Sequence, residues 1–281
     1  MLTEQRPEIP LPPSFARMEA LQDRPLRRLD WEATYGIWLR DIKKFWREKS
    51  RLWGGIARPV LWLLILGSSL KPAISNSSLA AGGAIDYTHY IFPGVIGLTL
   101  IFASLQSATS IIWDREFGFL KEVMAAPVPR LSILLGKALG GATQATMQGI
   151  ITLMFAPLIG LWLNPLVILA LIVMMFTVSF ALTTLGVVIA SSMTSFEGFG
   201  TISNFVVMPM YFLSGAIYPT SIVPIWIKPL IIINPLSYGV DALRQITVNV
   251  GAFPFWFDLG FLVVFAVIML VLAVPLFSKE K

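Results

Sequence analysis

Two apolar stretches, residues 91–112 and 131–163, restrict the chain more than anything else in it. Each is long enough to cross a hydrocarbon core of about 30 Å as a helix, which takes about 20 residues. A helix is also the open-chain structure that satisfies every backbone polar group in lipid. Between them lies WDREFGFLKEVMAAPVPR, residues 113–130, which carries most of the charge in the middle of the protein. Wound at about 100° per residue, it lines up Trp113, Phe117, Leu120 and Met124, flanked by Phe119 and Val123. Asp114, Arg115, Gly118, Lys121 and Glu122 fall on the opposite arc, and Glu116 stands as a carboxylate within the apolar sector. Pro127 and Pro129 end the helix, since proline lacks the N–H and clashes with the preceding turn. Such a segment is either an interfacial helix that docks a soluble partner or a solvated loop that only obeys topology.

Four more spans are expected, at residues 52–70, 165–192, 200–218 and 256–277. The chain is 56% hydrophobic and only 13% charged over 281 residues, whereas soluble domains are about a quarter charged. The expected fold is therefore an all-α integral membrane protein with six transmembrane helices. Residues 1–30 form a cytosolic tail bearing Pro7, Pro10, Pro12, Pro13 and Pro25, without the apolar core of a cleavable signal peptide. Asp30 is placed to cap a helix over residues 31–51. There Trp31, Tyr35, Trp38, Ile42, Phe45 and Trp46 alternate with Arg40, Lys43, Lys44 and Arg47, the pattern of an amphipathic interfacial helix on an anionic leaflet. Residues 52–281 form the six-helix transmembrane domain. Arg58, near the start of its first span, can snorkel to the headgroups. Residues 219–255 are apolar but broken by Pro224, Pro229 and Pro235. Their pieces, residues 222–233 and 236–249, are too short to span and read as a re-entrant pair of half-helices.

Seventeen of the 21 Lys and Arg fall before residue 52, in the central segment and its exit, or in the tail after residue 277. By the positive-inside rule these share the cytosolic side, so both termini are cytosolic. Lys71, Lys228 and Arg244 fall on the other side.

Several chemistries are excluded. Gly136-Lys137 is followed by Ala138 and preceded at the fifth position by Leu131, so it builds no phosphate cradle. With Cys 0 and His89 as the one histidine, thiolate and histidine metal sites and Ser-His-Asp chemistry are absent. No span holds a central carboxylate of the kind an ion-driven carrier uses. What remains is a membrane body with a docking element and no energy source of its own.

Four strings resemble the membrane subunits of ATP-binding-cassette type-2 (ABC-2 type) exporters. They are FPGV at residues 92–95, the central segment at 113–130, LSGAIYP at 213–219 and NPLSYGVDALR at 234–244. The resemblance implies a homodimeric permease in the inner (plasma) membrane. It binds no cofactor itself and is driven by a separate ATPase subunit that holds ATP and Mg. It assigns ATPase coupling to Trp113, Asp114, Arg115, Glu116, Phe117, Gly118, Phe119, Leu120, Lys121 and Glu122. It assigns the re-entrant motif to Asn234, Pro235, Tyr238, Asp241 and Arg244. The expected substrate is a hydrophobic or amphiphilic drug or lipid. Alternatives are a lipid-linked saccharide, or a non-transporting anchor that recruits an ATPase for signalling.

Gln144 and Gln148, one turn apart behind Gly140 and Gly141, serve either close helix packing or substrate contact. The same choice holds for Ala103, Gln106, Ser107 and Ser110. Met174, Met175 and Phe176 read as packing or lipid-facing residues. Asp241 and Arg244, three apart, are expected to pair. Glu116 either reaches water from a shallow helix or meets a cationic partner, one candidate lying in helix 31–51.

Overall fold

The computed structural model describes residues 29–48, 87–118, 128–193, 195–220 and 223–278, together with the helical positions Gly54, Ala57, Pro59, Leu61, Trp62 and Ile65. The tail before residue 29, most of the expected first span and residues 119–127 of the central segment lie outside the described residues. The described elements are α1 (Trp31–Arg47), α2 (Tyr87–Glu116), α3 (Arg130–Leu153), a 3₁₀ turn (Ala156–Ile159), α4 (Pro165–Ser191), α5 (Phe196–Phe212), α6 (Lys228–Ile233), α7 (Pro235–Val248) and α8 (Phe255–Ser278). No strand occurs among the described residues.

The helix ends are chemically specified. Asp30 caps α1, its Oδ1 accepting from the N–H groups of Glu32 and Ala33 at 3.0 and 3.2 Å. Asn164 caps α4 and Asn234 caps α7, each followed by a proline at the first helical position, where the lost N–H has no intrahelical partner anyway. Asn249 ends α7 in the left-handed conformation at φ 55°.

Four described helices are long and apolar enough to cross a bilayer: α2, α3 with its 3₁₀ extension, α4 and α8. The expected fifth span at 200–218 is corrected to Phe196–Phe212, with residues 213–220 leaving the helix after Pro209 and Leu213. At 17 residues α5 sits at the short end of the spanning range, about 17–25 residues. The first half-helix is also shorter than expected, since α6 begins only at Lys228; the chain turns at Asn234 into α7, which has 14 residues and starts one residue earlier than expected.

α2, α3 and α4 pack mutually as the centre, α8 lies against α4 and α3, and α5 touches α2 lightly. α7 is wedged among α2, α4 and α8, with every residue from Pro235 to Arg244 buried. Met174 and Met175 lie in the core, while Phe176 is on the outer side of α4. Residues of small volume set these distances. A Cβ at Gly141 would come 2.2 Å from Ser107 Oγ and 2.6 Å from Thr183 Cγ2, and one at Gly239 would come 2.8 Å from Val178 Cγ1.

α1 does not present its whole aromatic side outward, as the amphipathic pattern suggests. Trp31, Tyr35 and Trp46 are exposed, but Phe45 is fully buried and Trp38 gives its Nε1 hydrogen to Thr143 Oγ1 at 3.1 Å. The reason lies in α3, where Ser132, Gly136, Gly140 and Gln144 recur every fourth residue. Asp30 N donates to Ser132 Oγ at 2.8 Å, Thr34 Oγ1 to Ser132 O at 3.2 Å, and Gln144 Nε2 to Asp41 O at 3.2 Å. The contacts advance in step along both helices, so α1 runs beside α3 in the same direction. Small residues at this period let two helix backbones approach, as in membrane helix pairs.

A Cβ at Gly136 would lie 2.9 Å from both Ile37 Cβ and the Thr34 carbonyl oxygen, whereas one at Gly36 would meet nothing within 4 Å. The two alanine substitutions therefore have opposite signs. Gly136→Ala is expected to destabilise by about 1–3 kcal/mol through overpacking. Gly36→Ala is expected to stabilise α1 by about 0.5–1 kcal/mol. Thermal unfolding of the purified variants in one detergent checks the pair.

Candidate functional site

The central segment departs from one continuous amphipathic helix. Trp113–Glu116 are the last residues of α2, and the helix stops because Gly118 takes φ +75°, its N–H bonding back to Arg115 O at 3.1 Å. Phe119, Leu120, Lys121 and Glu122 lie outside the described residues. Glu116 is exposed; the carboxylate that meets α1 is Asp114, two residues earlier.

Asp114 and Arg115, expected on a solvated arc, are clamps. Asp114 Oδ2 accepts from Lys137 Nζ on α3 at 2.5 Å and from the Arg40 guanidinium on α1 at 2.7 Å. Asp41, beside Arg40, takes the same two cations: Arg40 at 3.0 Å and Lys137 at 3.2 Å. The result is a closed quartet of two acids and two bases from three helices, with Ser110 Oγ 3.2 Å from Lys137 Nζ. Side-chain exposure is 5% for Lys137, 4% for Asp41, 12% for Asp114 and 34% for Arg40. Burial alone would lower the Arg40 pKa, but the carboxylates of Asp41 and Asp114 outweigh it and hold the guanidinium above its ordinary value. Arg115 reaches the other way. Its guanidinium donates to the Met193 and Ser191 carbonyls at the end of α4, where a cation complements the helix dipole. Trp113 stacks on Phe117 at 5.1 Å and meets Phe196 of α5 edge-on at 4.6 Å.

Of the residues proposed for a pathway, Gln106, Ser110 and Gln144 line one cleft of about 350 Å³ between α1, α2 and α3, shared with Asp41, Lys44, Phe45, Glu48, Thr109 and Trp113. Ser107 instead bonds to Ser104 O at 2.6 Å and fills the space over Gly141. Gln148 is buried in α3 away from that cleft.

At the opposite end of α2 the other three strings meet. Gly94 of FPGV lies against Ala216, where a Cβ would come 2.6 Å from the Ala216 carbonyl oxygen. Arg244 stacks its guanidinium 4.0 Å from the Tyr90 ring centre and donates to Gly215 O at 2.8 Å, Ala216 O at 3.5 Å and Tyr90 O at 3.4 Å. Asn234 Nδ2 holds Met210 O at 2.7 Å, and Tyr238 stacks on Phe261 at 3.9 Å while its hydroxyl donates to Ile232 O at 2.7 Å. Pro235 opens α7 beneath them.

The expected Asp241–Arg244 pair is corrected: no ion pair joins them among the described residues. Asp241 instead accepts from the N–H groups of Ala252 and Phe253 at 2.9 and 3.0 Å and from Gln245 Nε2 at 3.1 Å. The α-helical offset sends Asp241 toward the loop before α8 and Arg244 toward α2. Asp41, Lys137, Gln245 and Asp258 escaped the sequence reading as members of networks. Gln245 Nε2 bridges to the buried Asp258 Oδ2 at 2.8 Å. The available signal was Lys137 itself, the one charge in α3 beyond Arg130, since an ionised group within a span demands a partner.

A bundle of long apolar helices, charged where α1, α2 and α3 meet, is an integral membrane protein of the polytopic helical class. The model of the ABC-2 type transporter family matches residues 32–248, and the chain belongs to that family. It is similar to the putative transport permease ycf38 of Porphyra purpurea, 27% identical over 251 residues, covering 84% of each chain. It is 25% identical over 266 residues to the inner membrane transport permease YadH of Escherichia coli (strain K12), covering 91% of this chain and 98% of that one. The probable multidrug ABC transporter permease YbhR of the same strain is 30% identical over 185 residues, 63% of this chain and 49% of its own.

Removing one member of a buried ion pair leaves an uncompensated charge and costs about 3–5 kcal/mol, whereas replacing both by apolar residues is nearly neutral. Lys137→Met and Asp114→Leu should each destabilise within that range. The double variant leaves Arg40 with Asp41 and should cost clearly less than the sum, read from denaturation midpoints in a double-mutant cycle. At the other end Arg244→Lys should not substitute for arginine. A point-charge ammonium cannot lie on Tyr90 and fork to the carbonyls of residues 215 and 216. Loss of about 1.5–3 kcal/mol, the worth of hydrogen bonds to a charged group, is expected from its thermal unfolding.

Proposed function

We propose that the chain is the membrane-spanning permease subunit of an ATP-driven exporter of a hydrophobic or amphiphilic molecule. It works as a two-fold homodimer with a separate ATPase subunit that binds ATP and Mg. The observation that carries the reading is the clamping of the end of α2. A segment that receives force from a moving partner transmits it only if its root is rigid. The root at Trp113–Gly118 is tied to α1 and α3 through Asp114 and to the end of α4 through Arg115. Closure of two ATPases around nucleotide would push on the segment after Glu116 and move α1, α2, α3 and α4 as one body. That motion shifts the dimer between inward- and outward-open states. The split of Lys and Arg supports a cytosolic position for this end, and the similarity to transport permeases supports a transport role.

The test is reconstitution into vesicles with the ATPase that co-purifies. Hydrolysis is expected to rise on addition of a transported fluorescent amphiphile. Gly118→Val, which puts a β-branched residue at φ +75°, should leave hydrolysis in place and reduce transport by about tenfold, an uncoupling of about 1.4 kcal/mol. Transport by vesicles that contain no ATPase would overturn the reading.

A further inference from the structure

The cleft between α1, α2 and α3 brings charged, aromatic and uncharged polar side chains together. Its volume of about 350 Å³ is at the small end of ligand sites, about 300–1,000 Å³. That is room for a compact polar head and not for a saccharide chain. Its walls combine one cation, Lys44, with the carboxylate of Glu48 one turn further along α1 and the aromatic rings of Phe45 and Trp113. Gln106 and Thr109 add uncharged polar groups from α2. The third charged wall residue, Asp41, is held by Arg40 and Lys137. Lys44 is exposed and holds its ammonium 5.7 Å from the centre of the Trp113 ring, so the ring face already accepts a cation. Beside the cleft, Trp46 and Phe117 are exposed and Trp113 is partly so. Aromatic side chains at this frequency mark the headgroup level of a bilayer.

We infer that this cleft binds the zwitterionic headgroup of a membrane phospholipid, with the phosphate on Lys44 and the ammonium between the Trp113 ring and Glu48. The phosphate draws Lys44 off the ring, and the lipid's own ammonium takes its place there. The acyl chains stay in the bilayer beside α1. Asp41, Ser110 and Gln144 line the cleft and also touch the charge quartet, directly or through α1. A bound head is therefore sensed where α1, α2 and α3 are tied together. That consequence for transport rests on the exporter reading; the binding itself does not.

Native mass spectrometry of the full-length chain, released from nanodiscs of defined lipid, tests binding without ATPase or transport. Phosphatidylethanolamine should be retained at least about tenfold more than phosphatidylglycerol, which has the phosphate but no ammonium; a tenfold ratio is about 1.4 kcal/mol. Lys44→Glu and Thr109→Trp, the latter filling the cleft from a half-buried wall position, should each abolish the preference. Lys44→Arg should keep it. Equal retention of the two lipids, or an unchanged preference in Thr109→Trp, would overturn the assignment. Displacement by free phosphoethanolamine with no lipid retained would give the site to a soluble zwitterion and overturn its membrane origin. If vesicle transport fails while the lipid preference stands, the exporter reading falls and the site survives.

Discussion

Lys137 cannot be where it is without Asp114 and Asp41. An ammonium seven residues into an apolar helix carries a desolvation penalty of several kcal/mol, and only close carboxylates offset it. The quartet meets that demand with zero net charge, and its geometry decides much else. Asp114 must lie at the end of α2 nearest α3, Asp41 must face inward from α1, and Arg40 must fold over both. α1 is therefore held by an electrostatic requirement of α3 rather than by its aromatic residues, three of which face outward. The glycines of α3 serve the same end. Gly136 and Gly140 bring the α1 backbone close enough for Asp41 to reach a lysine whose own helix is buried among α2 and α4.

What could be read from the residues alone follows from the strength of each signal. The central spans are legible because an apolar run of that length has one solution in lipid. The cap at Asp30 is legible because a side-chain acceptor before a helix has a local meaning. The orientation of α1 is not. Its apolar residues give a direction for its greasy side, but tertiary ion pairs and a small-residue stripe on another helix outweigh that preference. Asp114 was placed on a wet arc for the same reason: a helical wheel knows the sector of a residue and not what stands opposite. The Asp241–Arg244 spacing illustrates the limit again. Positions i and i+3 can pair, yet each side chain found buried backbone groups whose alternative was to remain unsatisfied.

The four strings that carry the family likeness gain a physical explanation once folded. FPGV, LSGAIYP and NPLSYGVDALR are far apart in the chain but form one junction. Gly94 permits the Ala216 backbone to touch α2, Gly215 turns at φ +71°, and Arg244 gathers the carbonyls this turn exposes. A carbonyl pair freed by a left-handed turn inside an apolar bundle needs a donor, and a guanidinium stacked on Tyr90 supplies one without leaving the charge bare. Asn234 performs the same service for Met210, whose carbonyl loses its intrahelical partner where α5 ends at Phe212.

The two junctions sit at opposite ends of a single helix. α2 has 30 residues, about 45 Å at 1.5 Å per residue, and it is buried along nearly all of its length between Ile91 and Ile112. A close-packed interior transmits displacement and does not absorb it. A tilt imposed at Asp114 and Arg115 must therefore appear at Tyr90 and Gly94, where it acts on the loop held by Arg244. Apolar side chains pack around both junctions, Ile112 and Phe199 at one and Phe92 and Leu236 at the other, but packing alone does not fix their angle. Both depend on a few directional contacts, charged hydrogen bonds at one end and a guanidinium fork at the other, which weaken steeply with angle. A helix rigid in its middle and held by angle-sensitive contacts at both ends favours two discrete arrangements over a continuum. The exporter proposed above would require that property of the element linking its driven end to its gate.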